Sequence, residues 1–242
     1  MSTIKTKGIV LVESNSGDYD KMLTILTPGL GKINCIAKGA RRPKSLLMSG
    51  SQFLCFADYI LYKGKDIYTI NSCEPIEFFY NIRTNLEKYE YAVFVSKIIK
   101  DVTTEGDNCY KTLQLFLNTI YMICQDEKNL NLILSIFKLR LMSIIGFKPN
   151  TQRCINCGIN EDIKYFSLKD NGIKCSSCGK LDKGAIQVLP VSVDALKYIC
   201  NAPSKKIFSF NVPDESEKEL DIISKLYLNE KLEKEYKLEK LF

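Results

Sequence analysis

The first 72 residues alternate short apolar segments with turn-forming residues, a pattern that is typical of β-strands joined by tight loops. The loops are rich in Gly, Pro, Asn, Ser and Asp, and they lie at residues 14–18, 28–31 and 64–65. The strands predicted around these loops are 8–13, 21–27, 32–37, 53–63 and 66–72. Because isolated strands would expose unpaired edges, we predict a small closed barrel of the OB type, with an SH3-like barrel as the alternative.

Further along the chain, apolar residues recur at spacings of three and four, which predicts helices. The predicted helices are 85–101, 108–124, 129–145, 192–200 and 214–228, followed by a Lys/Glu-rich tail that runs to Phe242. Asn108 is the expected N-cap of the second helix, and Gly146 with Pro149 is expected to end the third. The predicted fold class is therefore α+β, with an OB-type barrel in residues 1–76 and a helical domain in residues 77–242.

Four of the ten cysteines form two Cys-x2-Cys pairs, and seventeen residues separate one pair from the other. Each pair places two thiolates about one turn apart, and two such pairs can enclose a tetrahedral metal ion. Gly158 and Gly179 follow the pairs, where a chain that bends around an ion needs permissive dihedral angles. The spacing predicts a zinc-ribbon insert at residues 150–184 that carries one structural Zn²⁺ per chain, bound by Cys154, Cys157, Cys175 and Cys178.

Other uses of these thiols stay open at this point. Reduced core cysteines, a redox pair and an iron–sulfur cluster are the alternatives. The first residues contain no apolar run of the kind found in export signals, so we expect a cytoplasmic protein whose thiols stay reduced. A site closed by four thiolates has no open position for water or substrate, and the ion is therefore expected to be structural.

The net charge of +6 is concentrated in one part of the predicted barrel. Residues 32–65 hold seven basic residues against one acid, Asp58, so the rest of the chain sums to zero. The densest stretch, residues 37–45, combines small residues with four cations and no acid, which predicts a phosphate-binding loop. A merely solvated loop is the alternative. The candidate nucleic-acid contacts are Lys38, Arg41, Arg42 and Lys44.

Two further features have two interpretations each. Tyr59, Tyr62 and Tyr68 lie on neighbouring predicted strands and either stack on unpaired bases or belong to the barrel itself. The helix within residues 130–145 is apolar on nearly all sides, apart from two cations near its middle. We interpret it as a buried core helix, with a basic-rimmed groove for an apolar, acidic peptide as the alternative. It is too short and too interrupted by polar residues for a membrane span, and no membrane association is expected.

The absence of histidine argues against several classes of enzyme. Without histidine, the Ser-His and Cys-His nucleophile pairs and the commonest general base are missing. A metal-dependent nuclease that uses Glu13, Asp18 and Asp20 is a further hypothesis, although these acids cluster around a predicted turn. A non-enzymatic nucleic-acid-binding protein is the leading prediction, and a zinc-ribbon protein that binds RNA or acts in translation is the alternative.

In combination, these segments resemble the RecO family of bacterial recombination mediators. The resemblance spans almost the whole chain, and it rests on the order and spacing of several motifs. These motifs are Thr6-Lys7-Gly8-Ile9-Val10-Leu11, Thr24-Ile25-Leu26-Thr27, Gly29-Leu30-Gly31-Lys32, Ala37-Lys38-Gly39-Ala40-Arg41-Arg42-Pro43-Lys44-Ser45, and Phe137-Lys138-Leu139-Arg140-Leu141, which continues through Gly146 and Pro149 into Cys154-Ile155-Asn156-Cys157.

The resemblance implies an N-terminal OB-fold joined to a helical domain with a zinc-ribbon insert. RecO-like proteins bind single- and double-stranded DNA, anneal complementary strands and, with RecR and the C-terminal tail of single-stranded DNA-binding protein, help to load RecA. The resemblance also implies that the four cations of the basic loop contact DNA and that the four cysteines bind the metal ion. A non-enzymatic protein of the nucleoid, monomeric when alone, is expected. The chain is poorer in Arg and richer in Lys than many relatives, which weakens bidentate phosphate contacts.

Overall fold

The structure, a computed structural model, describes residues 3–239. Residues 1–2 and 240–242 lie outside the described part, and with them the predicted end of the tail at Phe242. The described chain divides into two compact units. Residues 3–124 together with Glu239 form what we call the barrel unit, and residues 125–238 form the ribbon unit.

The barrel unit begins with a closed five-stranded barrel, which confirms the prediction made from the turn pattern. The strands follow the order β1-β2-β3-β5-β4, and every neighbouring pair is antiparallel except β3 with β5. A closed sheet leaves no long unpaired edge. The strands are β1 (Thr3–Ser16), β2 (Asp20–Thr27), β3 (Gly31–Ala37), β4 (Phe56–Lys63) and β5 (Tyr68–Glu77).

Closure of the barrel depends on the length of β1, which pairs with two partners. Its first half runs beside β4, from Thr3 opposite Tyr62 to Ile9 opposite Phe56, and its second half runs beside β2. The pairing with β2 becomes irregular just after Val10, where the strand changes partner, and such a bulge increases local twist. The sequence pattern predicted only residues 8–13 of this strand, because its ends carry mostly polar, exposed side chains.

Inward-facing side chains from all the strands fill the barrel. On β4, Ala57, Tyr59 and Leu61 alternate inward and are buried, as the two-residue period of a strand requires. Full burial of an aliphatic or aromatic side chain contributes about 1.5–3 kcal/mol each, so this core gives the loops a stable frame. The same core includes Val10, Leu23, Ile25, Ile33, Cys35, Ala37 and Ile70.

Three helices complete the barrel unit: α1 (Tyr80–Arg83), α2 (Leu86–Val102) and α3 (Tyr110–Cys124). The two longer helices match the predicted ones within two residues at each end. Asn108 accepts a hydrogen bond from the Tyr110 backbone N–H at 3.3 Å, and Asn85 caps α2 by accepting from the Lys88 N–H at 3.0 Å. Because these helices cluster with the barrel, the compact units divide the chain at residue 124, whereas the predicted domain boundary lies at residue 76.

The ribbon unit combines a small sheet with the remaining helices. Its three-stranded sheet has the order β7-β6-β8. Gly146 ends the first helix of this unit as predicted, since it adopts φ of 101° and lets the Phe147 N–H donate to the Met142 carbonyl at 2.8 Å. The elements are α4 (Leu130–Ile144), β6 (Ile163–Ser167), β7 (Gly172–Cys175), α5 (Ser176–Lys180), β8 (Ile186–Gln187), α6 (Pro190–Asn201) and α7 (Asp214–Lys231).

Helix α4 is the centre of the ribbon unit, and this confirms its interpretation as a core helix. Lys138 is buried and forms an ion pair with Asp221 of α7 at 3.2 Å. Arg140 donates to the carbonyl oxygens of Ile199 and Ala202, at the end of α6, where helix carbonyls lack partners within the helix. Both cations are thus engaged inside the unit, and the geometry gives no support to the alternative of a basic-rimmed groove. Within residues 3–239, no helix is long and apolar enough to cross a membrane.

Replacing Lys138 by Met is expected to raise the free energy of unfolding by about 1–2 kcal/mol at neutral pH. Burial lowers the pKa of Lys138 and outweighs the attraction of Asp221, so the folded state disfavours the ammonium. Met has a similar length and no charge, and Asp221 keeps a side chain that is 45% exposed, which water can solvate. Denaturant unfolding of both proteins measures the difference.

The same pair of proteins has an expected pH dependence. The folded pKa of Lys138 lies below its ordinary value of 10.5, so the cost of burying the charge is complete below the folded pKa and disappears as the pH rises towards 10.5. The advantage of the Met variant should therefore shrink at alkaline pH. A Met variant that is less stable than the parent protein at neutral pH contradicts this account.

Candidate metal centre and nucleic-acid interface

The structure brings the four predicted cysteines of the ribbon unit together. The sulfur atoms of Cys154, Cys157, Cys175 and Cys178 all lie within 4.8 Å of one another, and those of Cys157 and Cys175 are 3.7 Å apart. A tetrahedral ion with metal–sulfur bonds of about 2.3 Å separates its sulfur ligands by about 3.8 Å. The donor type, number and spacing therefore fit a tetrahedral metal ion.

Local backbone structure holds each cysteine pair in place. The Gly158 N–H donates to the Cys154 carbonyl at 2.9 Å, and Gly158 adopts φ of 81°, which favours glycine. Gly179 serves a different purpose from the predicted dihedral freedom, because an added Cβ there would lie 2.1 Å from the ring of Tyr165. Cys175 ends β7 and Cys178 lies in α5, so the second pair is positioned by a strand-to-helix turn.

The pKa values of these thiols show why a cation suits the cluster. Burial opposes ionisation of Cys154, but backbone N–H groups of Cys157, Cys175 and Asn156 lower its pKa to about 6. Hydrogen bonds from Cys178 to the sulfur atoms of Cys175 and Cys157 raise the pKa of Cys178 to about 12. At neutral pH, the lowered pKa of Cys154 therefore favours its thiolate, and the raised pKa of Cys178 favours its thiol. A bound divalent cation would stabilise the thiolates by offsetting two of their four negative charges, and the closed sulfur shell would cross-link the two cysteine pairs.

An ion cluster centred on the buried Lys174 braces the same sheet. Lys174 of β7 is buried and pairs with Asp182 at 2.7 Å and with Asp170. The Ser167 hydroxyl also donates to Asp182 at 2.7 Å. Hydrogen bonds from Lys174 and Ser167 lower the pKa of Asp182 to about 2, so this carboxylate is ionised at neutral pH. The cluster ties the strand that carries Cys175 to the segment beyond α5.

The four predicted DNA contacts lie in the barrel unit, on residues 38–55 between β3 and β4, which we call the cationic connector. Lys38, Arg41, Arg42 and Lys44 are all exposed. Successive turns order this segment, as in the hydrogen bond from the Ser45 N–H to the Arg42 carbonyl at 3.1 Å. Within residues 3–239, none of the four cations forms an ion pair with a carboxylate. Their charge is therefore available to a ligand.

Both ends of the cationic connector are fixed to the barrel. The Leu54 N–H donates to the Val10 carbonyl at 2.9 Å, and the Gly39 N–H donates to Asp20 Oδ1 at 2.7 Å. In between, the buried Tyr59 hydroxyl donates to the Gly50 carbonyl at 2.8 Å. The connector is therefore a folded part of the barrel, in contrast to the flexible solvated loop that was its alternative.

Two of the three tyrosines proposed to stack on bases are not available for that role. Tyr59 and Tyr68 are 1% and 4% exposed, because both rings belong to the barrel core. The stacking prediction is therefore wrong for these two residues, and Tyr62 is half-buried. An aromatic residue that the sequence analysis missed, Tyr19, lies beside the connector, and the guanidinium of Arg42 lies 5.1 Å from the centre of its ring.

Two of the three acids of the nuclease hypothesis, Glu13 and Asp20, have structural partners. Glu13 pairs with Lys21 and accepts a hydrogen bond from the Phe53 N–H at 3.0 Å. Asp20 accepts from the Gly39 N–H. In the described part of the chain, the cysteine cluster is the one group of three or more cysteine or acidic side chains that could hold a metal. The geometry gives no support to a carboxylate-based metal site in the barrel.

Comparisons with known proteins find matches along almost the whole chain. A family model described as recombination protein O N terminal matches residues 1–79, and one described as recombination protein O C terminal matches residues 83–240. A protein named DNA repair protein RecO from Acetivibrio thermocellus is 43% identical over 98% of this chain and 94% of its own length. Proteins of the same name from Alkaliphilus metalliredigens and Caldanaerobacter subterraneus are 35% and 31% identical, over 93% and 98% of this chain and 92% and 96% of theirs.

Proposed function

Because this chain belongs to the RecO family of DNA repair proteins, we propose that it is a non-enzymatic recombination mediator that binds single- and double-stranded DNA. In this role it anneals complementary strands and helps to load RecA, together with RecR, onto DNA coated by single-stranded DNA-binding protein. Its contact with that protein is through the protein's C-terminal tail. These partners rest on family membership, and no residue of the chain is assigned to them.

The observation that carries the DNA-binding proposal is the state of the cationic connector. Lys38, Arg41, Arg42 and Lys44 are exposed on a folded segment of a small barrel, and carboxylates do not neutralise them within residues 3–239. Phosphate contacts supply most of the sequence-independent affinity for DNA, through release of condensed counterions. Arginine adds forked donors that match two phosphate oxygens at once. A preorganised cationic surface is what such binding requires.

The cysteine cluster has a supporting role in this proposal. Four thiolates favour Zn²⁺, one ion per chain, and they leave no coordination position for a substrate. The ion therefore stabilises the ribbon and takes no part in a reaction. Together with the absence of histidine, this favours a protein that acts by binding and without turnover. We place the protein in the cytoplasm, at the nucleoid, as a monomer when it is alone.

DNA affinity is expected to fall steeply with salt. Each phosphate contact contributes a log–log slope of about 0.7 on single strands, so contact with four cations predicts a slope near 3. Fluorescence anisotropy of a labelled oligonucleotide, measured at several salt concentrations, gives this slope. Binding that does not respond to salt, or no binding at low salt, would contradict the proposal.

The same measurement separates DNA from RNA as the ligand. An RNA strand of identical sequence serves as competitor, and DNA is expected to compete at least as well. A strong preference for RNA would favour the RNA-binding alternative, since OB-type barrels bind either polymer. Incubation of the DNA with Mg²⁺ or Mn²⁺ should leave it intact, and cleavage fragments would contradict a role without turnover.

A further inference from the structure

The loop between β1 and β2 presents an aromatic ring beside the cationic connector. The side chain of Tyr19 is 50% exposed, although burial of a tyrosine ring is ordinarily favourable. The guanidinium of Arg42 lies 5.1 Å from the ring centroid, within the range of a cation–π interaction. The ring of Tyr19 therefore contacts the Arg42 guanidinium and is also accessible to solvent.

Hydrogen bonds fix the backbone that carries this ring relative to the connector. The Arg41 backbone N–H donates to the Tyr19 carbonyl at 2.9 Å, and the Arg41 side chain donates to the Gly17 carbonyl at 3.2 Å. On the other side of Tyr19, Asp20 accepts from the Gly39 N–H at 2.7 Å. The loop and the connector therefore form one preorganised surface, which loses little conformational freedom when a ligand binds.

We propose that Tyr19 stacks on an unpaired base of single-stranded DNA while Lys38, Arg41 and Lys44 hold the neighbouring phosphates. This inference rests on the proposed function and adds to it a preference for single strands. Stacking on an aromatic side chain needs an accessible base face, and in a duplex the bases stack on each other. Phosphates are accessible in both forms, so the cations attract both. The ring gives the barrel a means of distinguishing an open strand from a duplex.

The position of Tyr19 in the barrel supports this assignment. In OB-type barrels, the loop between the first two strands is one of the places where oligonucleotides bind. A tyrosine that only supported the connector through Arg42 would affect every ligand of the connector equally. A stacking tyrosine affects only ligands that carry unpaired bases. The two roles therefore predict different results for duplex DNA.

The first test replaces Tyr19 by Ala and compares a thymine-only single strand with a duplex of the same length, at one salt concentration. Affinity for the single strand should fall roughly 5- to 150-fold, the size of one lost stacking contact, and affinity for the duplex should stay within about twofold. Tyr19→Phe keeps the ring and should bind like the parent protein. Tyr121→Ala, at a tyrosine of α3 that is 56% exposed, is the matched control and should change neither affinity.

The second test uses the absence of tryptophan from the chain. Tyr19→Trp places a single indole at the proposed stacking position, and its fluorescence reports stacking directly. Addition of the thymine strand should quench this fluorescence, whereas a strand of abasic sugar phosphates and the duplex should not. Tyr121→Trp is the control and should respond to none of them.

The outcomes separate this inference from the proposed function. If Tyr19→Ala weakens single-strand and duplex binding equally, or if the Tyr19→Trp indole is not quenched by a bound strand, the stacking role is overturned and the DNA-binding function stands. If the parent protein binds neither form of DNA at low salt, both are overturned. Loss of single-strand affinity alone, with quenching of the indole, supports the stacking role.

Discussion

Replacing both Cys154 and Cys157 by Ser is expected to remove the metal and to unfold the zinc-ribbon insert at residues 150–184. The two substitutions leave two sulfur donors of the four in the cluster, too few for a closed tetrahedral site. Structural zinc sites in small peptides contribute about 10–16 kcal/mol at neutral pH, which exceeds the whole stability of many domains. The ribbon sheet is small, with strands of five, four and two residues, so it has little core of its own to replace this contribution.

The measurements are elemental analysis and limited proteolysis. The parent protein should contain one zinc per chain, and the double variant should contain none and be cut first within residues 150–187. The barrel has a core of its own and should stay resistant to protease. Cys73→Ser is the matched control, because Cys73 is a partly exposed cysteine outside the cluster, and it should keep the metal. A parent protein that contains no metal and melts unchanged with a chelator would refute the metal site.

The barrel was predictable because strand period and turn chemistry are local properties of the sequence. The loops at residues 28–31 and 64–65 join strands that lie beside each other in space, and the pattern identified them. The same two-residue period also indicates that Tyr59 faces the core. Ala57, Tyr59 and Leu61 share one face of β4, and a face shared with Ala and Leu indicates the core.

Other features depend on contacts between distant parts of the chain, and local pattern does not contain them. The periodicity of α2 and α3 identified the helices without showing that they cluster with the barrel. The contact between Tyr19 and Arg42 joins residues on two different connections, which the antiparallel pairing of β2 with β3 brings together, with Lys21 opposite Ala37. The ribbon strands are too short for a period to be visible, and their positions follow from the cysteine pairs.

For the cysteines and the cations, residue type and spacing were sufficient to identify the candidates. Four thiols that share a metal ion must lie close together in the fold, and their spacing along the chain is typical of zinc ribbons. The structure places their sulfur atoms within 4.8 Å of one another. A run of cations without acids predicts a charged surface, but only the structure shows that the run is folded and free of carboxylate partners within residues 3–239. A folded run of cations without carboxylate partners is the arrangement that a phosphate-binding surface needs.

Removal of the charge of the cationic connector is expected to abolish most of the affinity for DNA. The variant carries Gln at Lys38, Arg41, Arg42 and Lys44, and its net charge falls from +6 to +2. Four phosphate contacts contribute a slope of about 3 on single strands, which corresponds to a loss on the order of several hundredfold at 0.1 M salt. All four side chains are exposed, so the barrel should remain folded.

The matched control has the same net charge with the connector intact. It carries Gln at four exposed lysines elsewhere, Lys111, Lys169, Lys183 and Lys205. Anisotropy titrations at several salt concentrations should give the control nearly the parent slope, and the connector variant a slope lower by about 3. Equal losses in the two variants would mean that overall charge attracts DNA and that the connector is not the interface. If the connector variant binds DNA as tightly as the parent protein, the connector is not the DNA interface, and the proposed function loses its structural support.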